Sequence, residues 1–222
     1  MAHLSTAEAK RFYDRFGAKQ DQQDFYEAPA ITYLLDHGDF AHASSLFELG
    51  CGTGRLAREL LLNHLSATAT YRGVDISSTM VALAEEKLAP FAPRTTVTPV
   101  PGDLPLPCPP QSVDRFLATY VFDLLPDQEI RRLLAEAHRI LQPGGLLVLA
   151  GITPGTTLVS RLVMGIWSGL ARLAPKLTGG CRPIRLGDYL DSTRWQVKEH
   201  DVVVAWGIAS EVVIAERLES EV

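Results

Sequence analysis

The 222-residue chain is long enough for one sizeable α/β domain and leaves little sequence for a second one. Hydrophobic residues make up 46% and charged residues 21%, which is ordinary for a soluble globular protein and excludes a disordered chain. The net charge is −5, and no lysine or arginine cluster falls on a predicted helix face. A nucleic acid partner is therefore not expected.

The first sixteen residues carry charges where a signal peptide has an apolar core, and no run of about twenty apolar residues follows. We therefore expect a cytoplasmic protein without a membrane span. The three cysteines, Cys51, Cys108 and Cys181, show no C-x-x-C spacing, so we expect free thiols and neither a disulfide framework nor a metal site.

Two helices are predicted before the first strand. Ser5 and Glu8 have the spacing of a capping box, and apolar residues at helical spacing behind them predict a helix over Thr6–Phe16. A second helix is predicted over Phe25–Asp36, where Pro29 is tolerated because it falls in the first turn.

Beyond these helices, predicted strands alternate with predicted helices. Five short apolar or β-branched runs are interpreted as strands: Leu46–Leu49, Thr70–Val74, Thr95–Val100, Val113–Thr119 and Leu146–Gly151. The intervening helices are Leu56–Leu65, Ser78–Leu88 after its cap Ser77, and a helix that begins at Pro126 and stops before Pro143-Gly144-Gly145. This alternation predicts an open, mostly parallel sheet with helices on both faces.

The alternation ends after Gly151. A helix follows whose apolar face is formed by Val159, Leu162, Val163, Ile166, Leu170 and Leu173. That face fits a core helix, a lid over a substrate, or a contact with a membrane surface, and the sequence leaves all three open.

Two strand-like runs complete the chain. Trp195–Val204 and Glu211–Ala215 are separated by a segment too short for a crossover helix, so they must pair in antiparallel fashion. The predicted fold class is therefore α/β, with one doubly wound, mostly parallel seven-stranded sheet and an antiparallel strand pair at its C-terminal edge.

The stretch SLFELGCGTGRLA places Gly50, Gly52 and Gly54 between the first strand and a helix. Such a turn lets a ligand approach the main chain without obstruction by Cβ atoms. The dinucleotide fingerprint requires its third glycine where this chain has Arg55. Glu48 would moreover repel a pyrophosphate but suits a ligand with a cationic amine and sulfonium. The charge favours S-adenosylmethionine.

Two further acids follow the next strands. Asp75 ends the second strand at a distance typical of an acid that contacts ribose hydroxyls. Asp103 follows the third strand, where its carboxylate is placed to accept a hydrogen bond from an adenine amine while Leu104 flanks the ring. Three acids at successive strand ends indicate a nucleoside-containing, cationic ligand.

The motifs FELGCGTGRLA, GVDISSTM, GDLPLP and AEAHRILQPGG together resemble the class I, Rossmann-like S-adenosylmethionine-dependent methyltransferases over residues 45–151. The YDRF sequence near the N-terminus and the chain after the fifth strand are similar, more weakly, to the small-molecule branch that includes quinone-biosynthesis and phospholipid methyltransferases. The resemblance implies methyl transfer by in-line displacement to a small acceptor, with S-adenosylhomocysteine as the product. The apolar segment after the fifth strand suggests a hydrophobic acceptor.

The resemblance also implies a set of site residues. In such proteins the glycine turn frames the methionine part, the acid after the second strand binds the ribose, and an N-terminal aromatic residue closes over the cofactor. The implied cofactor-binding residues are Tyr13, Glu48, Gly50, Cys51, Gly52, Gly54, Asp75, Ile76, Met80, Asp103, Leu104 and Tyr120. The candidates to border the acceptor, and so to act in catalysis, are Tyr120, Tyr26 and Asp123.

We interpret residues 1–222 as a single domain. Residues 1–44 would cover the cofactor site, 45–151 form the cofactor-binding core, 152–194 a variable segment over the substrate, and 195–218 the antiparallel pair. Two other functions stay open, namely a catalytically silent S-adenosylmethionine-binding regulatory protein and a methyltransferase acting on a protein. The expected partner is a small-molecule acceptor, with peripheral membrane contact left open and the oligomeric state not predicted.

Overall fold

The structure is a computed structural model that describes residues 6–17, 24–174 and 178–219. Its α-helices are α1 (Thr6–Phe16), α2 (Asp24–His37), α3 (Arg55–Glu59), α4 (Ser78–Leu88), α5 (Asp127–Ile140) and α6 (Leu158–Leu173). Its strands are β1 (Ser45–Leu49), β2 (Thr70–Asp75), β3 (Thr95–Pro99), β4 (Val113–Thr119), β5 (Leu141–Ile152), β6 (Trp195–Ala205) and β7 (Ile208–Arg217). The capping box predicted at Ser5 lies outside the described residues.

The seven strands form one sheet in the order β3-β2-β1-β4-β5-β7-β6. The first five strands pair in parallel, whereas β7 is antiparallel to both β5 and β6. This confirms the predicted fold class. The strand order reverses between β1 and β4, which is the position where ligands bind in sheets of this kind.

Alternate residues of the central strands pack on opposite faces of the sheet. On one face the rings of Phe47 and Phe116 stack with centroids 5.6 Å apart, in the core that α5 covers. On the other face Leu46 and Leu117 are buried with residues of α2, α3 and α4. The sheet therefore has an apolar core on both faces. A ligand site is expected outside these cores, at the carboxyl ends of the central strands.

The helix predicted over Leu56–Leu65 is interrupted. It consists of α3, which starts one residue earlier, and a π-helical turn over Leu60–His64 closed by a 2.7 Å hydrogen bond from the Leu65 amide to the Leu60 carbonyl. The π-helical turn is wider than an α-helical turn and places both Leu60 and Leu61 in the core. The 3.6-residue period used to predict the helix does not indicate such a turn.

The boundary between α5 and β5 also differs from the prediction. The helix ends at Ile140, and β5 begins at once instead of after the Pro-Gly-Gly sequence. Val113 pairs with Leu141 and Arg115 with Leu146, so Pro143-Gly144-Gly145 forms an irregularity inside the strand. These residues do not stop the helix, because it has already ended.

The apolar face predicted for α6 points mostly away from the protein. The buried residues of α6 are Ser160, Met164 and Ala171, so the interpretation of the predicted face as core is wrong. No helix within the described ranges is long and apolar enough to cross a membrane. All three cysteines are buried free thiols, as expected.

Candidate functional site

The glycine turn lies at the reversal of strand order, directly after β1. Gly50, Gly52 and Gly54 have φ values of 72°, 53° and 75°, which lie in the left-handed region that glycine adopts without steric cost. A Cβ atom on Gly50 would lie 2.4 Å from Cγ2 of Val121. The alternating glycines are therefore required both by the backbone conformation and by the close approach of the segment that follows β4.

Asp75 fastens this turn to the end of β2. Its Oδ2 accepts a 2.9 Å hydrogen bond from the Gly52 amide, and its Oδ1 accepts a 2.8 Å bond from the Ser77 amide. Burial raises the pKa of the Asp75 carboxyl, while the bonds from these amides act in the opposite direction. The carboxylate thus holds the turn in place and also lines the larger cavity described below.

Glu48 is buried beneath the turn. The hydroxyl of Tyr71 donates a 2.5 Å hydrogen bond to its Oε2, and Gly73 leaves room for that ring because a Cβ there would lie 2.6 Å from the Tyr71 hydroxyl. Burial raises the pKa of Glu48 to about 7, against the lowering effect of the Tyr71 bond. Near neutral pH this side chain is therefore close to its point of half-ionisation.

Two adjoining cavities open on either side of the turn. The larger has a volume of about 1120 Å³, and the smaller, of about 70 Å³, reaches Glu48. The residues that line both of them are Tyr13, Gly50, Thr119 and Tyr120. The larger cavity has the size of a site for a cofactor or a substrate.

Helix α1 covers the cavities and is tied to the start of α4. Asp14 accepts a 2.6 Å hydrogen bond from the Ser77 hydroxyl and a 2.7 Å bond from the Lys10 ammonium, and the Lys10 bond is the main cause of the lowered pKa of Asp14. One residue earlier, the Tyr13 hydroxyl lies 3.5 Å from the carbonyl oxygen of Gly179. This places Tyr13 between the two cavities, and burial raises the pKa of its hydroxyl.

A cluster of aromatic side chains lies at the smaller cavity, where Tyr26 and Tyr120 line the wall. The ring of Tyr26 makes edge contacts with Tyr120 and Trp167, with centroids 6.0 and 6.4 Å apart. The Tyr120 hydroxyl donates a 3.0 Å hydrogen bond to the Ser210 hydroxyl. Trp167 donates a 3.1 Å bond to the Cys181 carbonyl. Burial raises the pKa of both tyrosines, so both hydroxyls stay protonated near neutral pH.

The structure brings most of the residues named from the sequence to the cavity walls. The predicted residues that line a cavity are Tyr13, Tyr26, Glu48, Gly50, Cys51, Gly52, Asp75, Ile76, Asp103, Leu104 and Tyr120. Asp103 and Leu104 are exposed at the larger cavity.

Three predicted residues do not lie on a wall. Gly54 precedes α3 and packs against Ala84, and the Met80 side chain is buried in α4. Asp123 is completely buried; its carboxylate lies near Gly151 and accepts a 3.3 Å hydrogen bond from the Ile152 amide. Burial raises the pKa of Asp123 to about 6.

Sequence reasoning missed several wall residues. Glu27 and Arg55 line the smaller cavity, with Arg55 Nη2 3.9 Å from Glu27 Oε2, and Cys181 lines it from the loop after α6. Arg55 directly follows the third glycine, so its position next to the cavity could have been predicted from the glycine motif. Glu27 and Cys181 reach the site through helix packing and a distant loop, for which the sequence carries no local signal.

Comparisons with known proteins agree with this architecture. Residues 46–145 match the family model described as a methyltransferase domain. These residues, a little under half of the chain, are therefore similar to a methyltransferase domain. The match begins in β1 and ends within β5, so it contains the glycine turn and the ends of β2, β3 and β4. The resemblance recognised in the sequence is confirmed at this level, and the quinone-biosynthesis and phospholipid branch stays a prediction.

Curated relatives support the same family. The chain is 35% identical over 140 residues to an uncharacterized methyltransferase of Bacillus cytotoxicus, covering 62% of this chain and 61% of the relative. It is 30% identical over 122 residues to a carboxy-S-adenosyl-L-methionine synthase of Chromohalobacter salexigens, covering 53% of this chain and 43% of the relative. The chain thus spans about three fifths of one relative and less than half of the other.

Solved structures share the whole fold at low sequence identity. A [4+2]-cyclase, SpnF, superimposes with a TM-score of 0.72 at 14% identity over 98% of each chain. The N-methyltransferase NodS of Bradyrhizobium japonicum, in complex with S-adenosyl-L-homocysteine, gives a TM-score of 0.65 at 14% identity over 87% of this chain and 88% of NodS. These likenesses establish the fold beyond the 46–145 match.

Proposed function

We propose that this protein is an S-adenosylmethionine-dependent methyltransferase whose acceptor is a small hydrophobic molecule. The observation that carries the proposal is the left-handed glycine turn opening onto a cavity that also presents the carboxylates of Asp75 and Asp103. The lining fits the cofactor, because Gly50 of the turn and the carboxylates of Asp75 and Asp103 meet at one cavity of about 1120 Å³, the size of a cofactor site.

In this proposal each part of the cofactor has a matching group. Glu48 would attract the ammonium of the methionine part, and Asp75 would bind the ribose hydroxyls with the lone pairs that its amide bonds leave free. Asp103 and Leu104 would hold the adenine at the open end of the larger cavity. When bound, S-adenosylmethionine supplies an electrophilic methyl group, so the protein has to orient the nucleophile and exclude water.

The aromatic wall would perform that second task. Tyr120 lines both cavities, and Tyr26, which contacts Trp167, lines the smaller one. Next to Tyr120, Val121, Leu124 and Leu125 give the larger cavity an apolar surface that suits a hydrophobic acceptor. Residues 152–194, which supply Trp167 and Cys181, would form the acceptor side of the site. This wall is the reason for proposing a hydrophobic acceptor.

The protonation states restrict the kind of nucleophile. Because burial raises the pKa of Tyr26 and Tyr120, neither hydroxyl serves as a general base near neutral pH, although each can donate a hydrogen bond. Asp123 is fully buried and off the cavity wall. Glu27, which lines the wall beside Tyr26, is the carboxylate best placed to receive a proton. A thiolate or a neutral amine would need no such base.

Two measurements test the proposal in sequence. Calorimetry on the purified chain should detect binding of S-adenosylmethionine and of S-adenosylhomocysteine; the absence of both would remove the proposal. Incubation of a cell extract with methyl-labelled cofactor should then place the label in solvent-extractable metabolites. Label found in polypeptides instead would favour a protein methyltransferase. A cytoplasmic location and membership of the quinone-biosynthesis and phospholipid branch remain part of this proposal.

A second candidate is a cofactor-binding protein that transfers no methyl group. It is favoured by the likeness to SpnF, which extends over 98% of both chains although SpnF is described as a [4+2]-cyclase. A related protein, the carboxy-S-adenosyl-L-methionine synthase, is likewise not named a methyltransferase. Tight cofactor binding without label transfer to thiol, amine, phenol or lipid acceptors would support this second candidate over the first.

A further inference from the structure

Helix α6 exposes a continuous apolar surface. Leu158, Leu162 and Leu173 are 84%, 69% and 89% exposed. The full set of exposed apolar residues on the helix is Leu158, Val159, Leu162, Ile166, Leu170 and Leu173. At about 100° per residue these six side chains fall within roughly a third of the helix circumference. We call this set the α6 face.

The α6 face is not needed to hold the helix in place. The opposite side of the helix buries Met164 and Ala171, and Thr157 and Ser160 form a capping box at its start. Trp167 connects the helix to Tyr26 and to the Cys181 carbonyl. Six large apolar side chains in contact with water are thus a feature that the packing of the helix does not explain.

The hairpin between β6 and β7 extends this surface. Its two-residue turn consists of Trp206 and Gly207, both with positive φ, and a Cβ on Gly207 would lie 2.8 Å from Cγ2 of Val163 in α6. The turn therefore packs directly against the helix. Trp206 is nevertheless 81% exposed. A tryptophan beside an apolar helix face is typical of the boundary between lipid and water.

The charged residues of α6 and of the sequence that flanks it have a single sign. From Gly151 to Gly187 the sequence contains no aspartate or glutamate but five basic residues, in a chain whose net charge is −5. Arg161 and Arg172 are exposed and lie on the same side of the helix, about 20° apart on the helical wheel and about three turns apart along the axis, at one border of the α6 face. The apolar surface is therefore bordered by cations without acidic neighbours on its own helix.

We propose that the α6 face and Trp206 dock onto an anionic lipid bilayer, with α6 lying in the plane of the interface. An apolar helix side bordered by arginines is the arrangement by which interfacial helices bind anionic lipids. A symmetric dimer through the same face is disfavoured, because Arg161 and Arg172 would face their own copies without an acid on α6 to pair with them.

Docking in this orientation would bring the acceptor side of the site close to the bilayer. Trp167, on the inner side of the same helix, contacts Tyr26 on the cavity wall. If the proposed function holds, a hydrophobic acceptor would then be drawn from the membrane. The docking itself does not rest on that function, since it is measured without turnover.

The test is sedimentation of the full chain with lipid vesicles. The protein should pellet with vesicles of phosphatidylcholine and phosphatidylglycerol in a 3:1 ratio and at least tenfold more weakly with phosphatidylcholine alone. Leu162→Gln/Ile166→Gln should reduce binding at least tenfold, and Arg161→Gln/Arg172→Gln should remove the preference for the anionic vesicles. Brominated lipid should quench the fluorescence of Trp206. Because the chain has three tryptophans, the Trp206→Phe variant shows how much of the quenching comes from Trp206.

The matched control is Leu62→Gln/Val197→Gln, which changes two exposed apolar residues outside α6 and should leave vesicle binding unchanged. Equal loss in the control, or no binding to either vesicle, would overturn the proposal. A dimer in sedimentation equilibrium that Leu162→Gln/Ile166→Gln dissociates, without vesicle binding, would assign the face to a second copy and also overturn it. Cofactor calorimetry on the same variants keeps failure of docking distinguishable from failure of the proposed function.

Discussion

The glycine turn lines the cavities, whereas helix α6 contacts only their wall through Trp167 and Tyr26, and the two elements are held by different kinds of constraint. The turn depends on its backbone, with three left-handed glycines, a carboxylate bonded to the Gly52 amide, and no room for a Cβ on Gly50. Helix α6 is held by side-chain packing on one narrow side and exposes the rest. We therefore expect substitutions in the turn, on the proposed cofactor side, to be less well tolerated than substitutions on the exposed side of α6.

The largest expected effect is on the turn. Gly50→Ala introduces a Cβ into the Val121 side chain at a φ of 72°, so cofactor affinity should fall at least 1000-fold, about 4 kcal/mol. The matched control is Gly144→Ala, which has a φ of 74° but no atom within 4 Å of the added Cβ. Calorimetry should show that Gly144→Ala has unchanged affinity for the cofactor. A similar loss of affinity in both variants would contradict the proposal that the glycine turn binds the cofactor.

Glu48 should produce a pH dependence of opposite sign for stability and for binding. Its pKa is raised by burial from 4.5 to about 7, so the folded protein retains a proton that the unfolded chain releases. Stability is then full below about pH 4.5 and falls by about 3 kcal/mol as the pH rises through 7. Affinity for the cationic cofactor should increase over the same range, because the ionised carboxylate attracts it.

Denaturant unfolding and calorimetry between pH 5 and 8 measure both trends. Glu48→Gln keeps an acceptor for the Tyr71 hydroxyl and should flatten both profiles. Profiles that keep their slopes in this variant would assign the pH dependence to another buried group, such as Asp123, whose pKa is raised to about 6.

Asp75→Ala should weaken cofactor binding by about 1.5 to 3 kcal/mol, the scale of hydrogen bonds to a charged group. The structure adds a loss of stability, because the Gly52 and Ser77 amides lose their acceptor. Asp114→Ala is the control, since Asp114 accepts a 2.8 Å bond from the Ser44 amide at the start of β1. It should lose stability without losing affinity. Unchanged affinity in Asp75→Ala would mean that the ribose is bound elsewhere.

Tyr26→Phe tests the aromatic wall. The ring contacts with Tyr120 and Trp167 are kept and only the hydroxyl is removed, so cofactor affinity should stay constant while kcat falls about tenfold, equal to about 1.4 kcal/mol. Single-turnover label transfer to the identified acceptor measures the effect. A parallel decrease in cofactor affinity would assign Tyr26 to the cofactor side instead.

The smallest effect is expected on the exposed side of α6. Leu162→Gln/Ile166→Gln should change the free energy of unfolding by less than about 0.5 kcal/mol, because both side chains already contact water. Met164→Ala, on the inner side of the same helix, should cost about 2 to 5 kcal/mol. Equal destabilisation by both variants would contradict the orientation of the helix.

The sequence by itself determined the fold class and most of the residues that line the proposed cofactor side. Strand and helix periods gave the parallel sheet, and the short Trp206-Gly207 connection required the antiparallel pair. The turn was predictable because its requirements are local: only glycine adopts the left-handed conformation at low cost, and the acids stand at strand ends whose positions follow from the chain order.

Only the tertiary structure decided the rest. An apolar helix period does not say which apolar residues meet a partner, so the sequence left core, lid and membrane contact open for α6, and only the packing shows that most of its apolar face points outward. Asp123 looked available but is buried, whereas Glu27 and Cys181 reach the wall from distant segments. The backbone conformation of a turn depends on the residues within it and can be predicted from them. Burial and long-range contacts depend on how separate elements pack, which the local sequence does not determine.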